Sequence, residues 1–339
     1  MSNLETRPDE RTCEAGPDAG GVQVLAHRDV PLGGPRSMDV RRTIPQRVRS
    51  LVGAWCFCDH YGPDDVSRSA GMQVPPHPHT GLQTVSWLFE GEILHRDSTG
   101  SLETVRPGEL NLMTAGRGIS HSEESPSGRR APRLHGVQLW TALPAAHLDD
   151  APSFEHRGSL PTVLALGARV QVFLGSLGLG GRVVTSPATA YSPLVGAQID
   201  LDPGSDVLLD VDPGFEHGLL VDAGEVRLEG EVVPPSSLGY VGTGRTALRV
   251  QASNDGPARV VLIGGEPFEE EIVMWWNFVG RTHDDVARAR ADWTAQLAAD
   301  GGYVPGADAL RFGEVLGYGG PPLPAPRLPD VRLRPRRRV

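Results

Sequence analysis

Residues 74–95 read VPPHPHTGLQTVSWLFEGEILH. On extended backbone, residues two apart point to the same face about 6.5–7 Å from each other along the strand, so His77 and His79 converge on one point. Pro76 and Pro78 disfavour helix and cannot donate to a central ladder, which leaves an edge strand or a strand entrance. The run TVSWLF, closed by EGE, reads as the next strand and its turn. Further along, residues 112–125 read LMTAGRGISHSEES, and His121 and Glu123 repeat the spacing of two.

A lone His-x-His pair is more often a surface or turn feature, but a second same-face pair between glycine-marked turns turns the reading toward a metal site. Three neutral imidazoles and one carboxylate form a donor set of borderline hardness with one negative charge. Iron, zinc, nickel, copper and manganese all fit it as divalent ions. Gly108 after Pro107 suits a turn, while Gly116 and Gly118 permit backbone that side-chain-bearing residues resist. Each histidine needs a partner for its second ring nitrogen, with Gln83, Thr84, Ser86 or backbone carbonyls as candidates. His60, His95, His135, His147, His156, His217 and His283 lack such company and read as satisfied or exposed.

On either side, short apolar runs broken by Gly- and Pro-bearing turns continue from Val22 to about residue 145, and the same texture returns from residue 160 to residue 280. Two β domains in tandem are expected, all antiparallel, joined by a Pro- and charge-rich connector. Residues 1–21 lack hydrophobic periodicity and predict a disordered leader. Residues 281–300 predict a helix that packs against a barrel: Thr282 and Asp285 make a capping-box-like start, and Val286, Ala289, Trp293 and Leu297 recur at helical spacing. The prolines of residues 301–339 exclude a regular helix or central strand and leave an extended Pro/Arg-rich tail, whose terminal arginines read as solvated.

The 339 residues exceed the usual single-domain size, and 42 glycines and 30 prolines with few aromatics favour turns and short strands. A formal net charge of -10 argues against direct nucleic-acid binding. No apolar stretch approaches membrane-helix length, and the acidic N-terminus is no export signal, so a cytoplasmic protein is expected. A monomer is expected too. Cys13, Cys56 and Cys58 offer no disulfide framework and read as packed thiols.

Three segments, RRTIPQRVRSLVGAWCFCDHYGP, HPHTGLQTVSWLFEGEILHRDSTGS and PGELNLMTAGRGISHSE, resemble the pirin family in order, and GGEPFEEEIVMWWNFVGRTHDDVARARADW resembles the C-terminal end of its bacterial members. The resemblance implies a bicupin: two tandem cupin-type β-barrels with one metal, Fe(2+), in the N-terminal barrel. Its ligands would be His77, His79, His121 and Glu123. Many cupins carry a metal-binding Glu after the His pair; Gln83 stands there in this chain, so Glu123 supplies the acid. The C-terminal barrel, with His217 alone, is expected to be metal-free. The family also implies quercetin dioxygenase activity on a small aromatic flavonol, with Glu123 as ligand and catalytic base. The alternatives are a metal-dependent protein-interaction role, as partner of a transcription regulator or metabolic enzyme, and a cupin whose ion merely pins the barrel mouth.

Overall fold

The computed structural model describes residues 20–31, 39–69, 71–126 and 132–335. The expected leader falls almost wholly on residues 1–19, and the terminal arginines on residues 336–338; both lie outside the described residues.

The alternating runs of the first half build two facing antiparallel sheets. In the larger, Trp55–Asp65 pairs with Asp39–Ile44 on one side and Arg133–Ala142 on the other; the ladder continues through Leu82–Glu90 and Leu110–Thr114 to Ser153–Arg157. The smaller runs in the order Gln73–His79, Ile119–Glu124, Ile93–Asp97 and Leu102–Val105. Gln73–His79 therefore lies at an edge, where its prolines leave no ladder donor missing. Side chains alternate across the larger sheet. Asp59, Gln138 and Ser86 form one cross-strand row, with Phe57, Trp140 and Thr84 in the next row on the same face. Ser86 reaches Glu123 of the smaller sheet, so this face lines the barrel interior.

The opposite face, with His60, Val137 and Trp87 in one row, meets the second barrel. Trp87 donates its indole N–H to Gln198 Oε1 at 2.8 Å, and Trp55 donates to the carbonyls of Val195 and Gly264, each at 3.1 Å. Trp87 also packs on Phe173 with ring centroids 4.9 Å apart. At Gly53 (φ +54°) the barrels come so close that a Cβ would sit 2.7 Å from Gly265 Cα, so a side chain there is excluded twice over. One apolar core, including Val85, Trp87, Phe173, Leu194 and Val261, spans both halves.

The second barrel is a twelve-stranded sheet among the described residues. Ala168–Leu179 pairs with Leu194–Leu201, then come Ala258–Gly265, Glu216–Ala223 and Leu238–Val241, and the edge is completed by Gln23–Leu25 from near the N-terminus. The all-β bicupin architecture with one C-terminal helix is thus the fold of the chain.

The C-terminal region returns to the first barrel. A hairpin, Val273–Trp275 with Phe278–Gly280, bridges to Thr80, whose carbonyl accepts Val279 N–H at 3.0 Å. The helix His283–Ala295 starts in a full capping box between Thr282 and Asp285 and buries Val286, Ala289 and Trp293. These pack with the hairpin and Phe312 rather than directly on barrel strands. Beyond it the chain returns as a strap made of turns, a 3-10 turn at Ala307–Ala309 and an extended stretch over residues 321–329: Trp293 Nε1 donates to Leu323 O and Leu323 N–H donates to Pro76 O, both at 2.8 Å. Cys56 and Cys58 are buried free thiols, and burial pushes Cys58 up to about 12, which keeps it an inert packing group. No helix among the described residues is long and apolar enough to cross a membrane.

Candidate functional site

The site grows out of the pairing between the proline-bearing edge strand and its neighbour. His121 lies directly opposite His77, and two residues later the register shifts so that Glu123 faces Val74, a bulge at Pro75–Pro76 that re-aims the strand. Gly116 (φ +50°) makes the preceding turn, where a Cβ would strike the Asp150 carbonyl. The strap fixes the same two strands from outside: the carbonyl of Phe312 accepts both the N–H and the hydroxyl of Ser120, each at 3.0 Å.

His77, His79 and His121 come together. Their ring centroids lie 4.4–5.0 Å apart, and one nitrogen from each falls within 4.8 Å of the others. All are buried, at 6%, 1% and 1% exposure. Burial pulls their pKa values down, His77 to about 4 and, with neighbouring imidazoles adding to it, His79 and His121 well below the ordinary value of about 6.5. At neutral pH the three present lone pairs. His77 directs Nδ1 to the Pro75 carbonyl at 2.9 Å, which leaves Nε2 for the cluster. His121 Nε2 and His79 Nδ1 are buried with no hydrogen-bond partner. Unpartnered, buried, neutral nitrogens aimed at one another are costly unless a further group binds there, and a divalent ion suits that donor set.

Glu123 is not drawn into the convergent trio. Its Oε1 accepts the Ser86 hydroxyl at 3.2 Å, and Ser86 in turn bonds Gln138 at 2.9 Å. Burial raises its carboxyl above the ordinary range. Gln83 bonds Thr114 and the Thr189 carbonyl, away from the imidazoles. Among the expected holders of the second ring nitrogens, a backbone carbonyl serves His77, while Gln83 and Ser86 are used elsewhere. The wall next to His79 is aromatic: Trp140 meets it edge to face at 5.2 Å and stacks on Phe57 at 4.0 Å.

Three histidines read as lacking company have it. His95 sits beside His121, Nδ1 to Nδ1 at 3.4 Å, and contacts Asp97 at 3.2 Å. The spacing of two between His95 and Asp97 on one strand was the signal for it. His60 and His135, from the interface face of the first barrel, both contact Asp222 Oδ1 of the second, at 2.8 and 2.6 Å. Their distance in sequence hides this trio. Its three polar atoms also converge, but the guanidinium of Arg259 lies 3.3 Å from Asp222 Oδ2 and that of Arg41 lies 3.5 Å from His60 Nε2. Two fixed cations beside the donors oppose a third positive centre, and N–H donation from both rings already satisfies the carboxylate. Burial alone would raise Asp222, yet the bonds from His135 and His60 outweigh it and hold the carboxyl well below the usual range. The cluster is an inter-barrel ion-pair network.

Residues 37–141 match the pirin family model and residues 196–297 match that of the pirin C-terminal cupin domain. A Pseudomonas aeruginosa protein that carries the provisional name quercetin 2,3-dioxygenase is 42% identical over 97% of this chain and 98% of its own length. Human pirin is 32% identical over 65% of this chain and 75% of its own. A crystal structure titled quercetin 2,3-dioxygenase from Acinetobacter baumannii superposes with a TM-score of 0.82 at 36% identity, covering 94% of this chain and 99% of that one.

Proposed function

The chain belongs to the pirin family, and from that premise we propose that it binds one divalent metal, Fe(2+), through His77, His79, His121 and Glu123 and uses it to oxygenate a flavonol such as quercetin. The observation that carries the reading is the set of buried imidazole nitrogens left without partners around one point. When bound, the ion would polarise a substrate hydroxyl and supply the redox chemistry with oxygen. The protein's own part is to hold the ion and substrate. Three neutral imidazoles and one carboxylate leave a divalent ion with a residual positive charge, suited to an ionised hydroxyl. The Trp140–Phe57 stack offers a planar surface beside His79. Glu123, kept above the ordinary carboxyl range and hydrogen-bonded through only one oxygen by Ser86, is placed to take the hydroxyl proton on the other.

A second reading, a metal-dependent partner of other proteins, is favoured by one feature. His77 and Glu123, the most accessible of the four, are only 6% and 8% exposed, which leaves a bulky flavonol little direct access. Anaerobic loading with Fe(II), elemental analysis and an oxygen electrode separate the two. The enzyme reading expects one iron per chain and oxygen uptake that requires both iron and quercetin. Iron bound without flavonol-dependent uptake transfers the function to the partner-binding reading, and an iron-free protein overturns both.

A further inference from the structure

His95 and Asp97 lie outside the four proposed ligands, yet they are as buried as those ligands, at 2% and 3% exposure. Their contacts form a line that begins at His121. His121 Nδ1 lies 3.4 Å from His95 Nδ1, and His95 Nε2 lies 3.2 Å from Asp97 Oδ2. The other carboxylate oxygen, Asp97 Oδ1, accepts Thr99 N–H at 2.8 Å, the Thr99 hydroxyl at 2.7 Å and Ser101 N–H at 3.1 Å. The His95 ring is clamped by stacking on Phe154, centroids 4.5 Å apart and planes within 17°.

The protons along this line can be placed by elimination. An ionised carboxylate only accepts, so the contact to Asp97 Oδ2 requires a proton on His95 Nε2. A ring protonated on Nε2 alone offers Nδ1 as a bare acceptor. The single proton between the two rings must therefore sit on His121 Nδ1. That leaves His121 Nε2 as a lone pair, and Nε2 is the His121 atom buried without any partner in the imidazole cluster. Every polar atom from Asp97 to the cluster is accounted for by this one arrangement. The reverse tautomer would set two bare nitrogens against each other and leave a buried Nε2–H with no acceptor within hydrogen-bond reach.

We propose that His95 and Asp97 are positioning residues that lock His121 in its Nδ1–H tautomer, so that Nε2 is held ready for the metal before the metal arrives. Partners of this kind orient a ligand ring and raise its basicity, and their loss typically weakens metal binding by about 10–100-fold. The inference rests on the metal reading of His77, His79 and His121 but not on any flavonol chemistry.

The test has one arm with metal and one without. In the metal-free protein, ¹⁵N-edited NMR of the ring nitrogens reads the His121 tautomer directly; the expected result is one Nδ1–H form in the wild type and a mixture in His95→Phe, which keeps the stack on Phe154 but loses the acceptor. In the second arm, chelator competition with cobalt(II) gives affinity, expected to fall about 10–100-fold in His95→Phe and to recover in part in His95→Gln, whose amide oxygen restores an acceptor. Should the Phe variant fold poorly by circular dichroism, Asp97→Asn is read by the same two measurements. An unchanged tautomer together with wild-type affinity overturns the proposal. A wild type that binds no cobalt defeats the metal reading instead, while the tautomer measurement still answers for the relay.

Discussion

The two barrels share a fold and differ in what fills them. The interior of the first carries four imidazoles, those of His77, His79, His95 and His121, with Glu123, the Ser86–Gln138 bridge and the buried Arg42–Asp59 pair with N–O distances of 2.6 and 2.7 Å. The second is packed with Val, Leu, Ile and Ala, from Val170, Val172 and Ile199 to Val250 and Leu262. It keeps a single buried histidine, His217, whose cross-strand neighbours are Val241 and Gly264 and whose two ring nitrogens both lack partners. A β-barrel of this kind can thus be filled mainly by aliphatic side chains, so the fold itself does not call for the imidazole cluster of the first. The difference also shows what the second barrel contributes, namely the apolar face and the carbonyls on which Trp55 and Trp87 rest.

If that division is right, the halves should be inseparable in stability but separable in chemistry. The largest expected effect is on stability. Trp87→Ala removes a fully buried indole, its packing on Phe173 and its bond to Gln198, and should cost about 3–5 kcal/mol. Denaturant unfolding followed in both halves should still show one transition; two transitions would break the shared-core account.

Next in size is Asp222→Asn, which weakens charge-assisted bonds from His60, His135 and Arg259; a loss of about 2–3 kcal/mol is expected at neutral pH. Because the folded pKa of Asp222 is depressed, its contribution is complete above the unfolded value of about 4 and is lost as pH falls through the folded one. The gap between wild type and variant should close in strong acid, as measured by urea unfolding over a pH series.

His217 has the opposite chemistry. Burial lowers it to about 4, against about 6.5 when unfolded, so between those values the unfolded state takes up a proton that the folded state refuses. Stability should fall with acidification by up to about 1.4 kcal/mol per pH unit in that window. His217→Leu should flatten this part of the curve, and an unchanged slope would mean that His217 is not held neutral.

The smallest effect concerns Glu123. Since Ser86 already holds its carboxylate apart from the imidazole trio, Glu123→Gln should weaken metal binding less than loss of a histidine does, while any flavonol turnover per bound metal should fall further than occupancy alone explains. Equal losses in the Gln variant and in His77→Ala would place the carboxylate on the metal as an equal ligand.

Much of this is legible in the chain itself. Alternating runs such as TVSWLF, broken by Gly and Pro, declare antiparallel strands, and the prolines beside His77 place that strand at an edge. The His-x-His spacing works as a signal because strand geometry makes it local. The His60–His135–Asp222 network is invisible in the same terms because its members belong to strands that meet only after two barrels have docked. His95 stood one step from view: the His95-x-Asp97 spacing obeys the rule that revealed His77 and His79, but its partner His121 is set by the register between two strands. The strap's course along Pro76 and Ser120 likewise depends on tertiary packing of Phe312 and Leu323, which no local periodicity encodes.

Confinement of the metal chemistry to one barrel is read out by metal stoichiometry. Protein purified anaerobically and loaded with Fe(II) should carry one ion per chain by elemental analysis. His217→Ala should leave that value unchanged, while His121→Ala should lose most of the metal with its circular dichroism intact. Full occupancy in His121→Ala, or a drop in His217→Ala, would contradict the account.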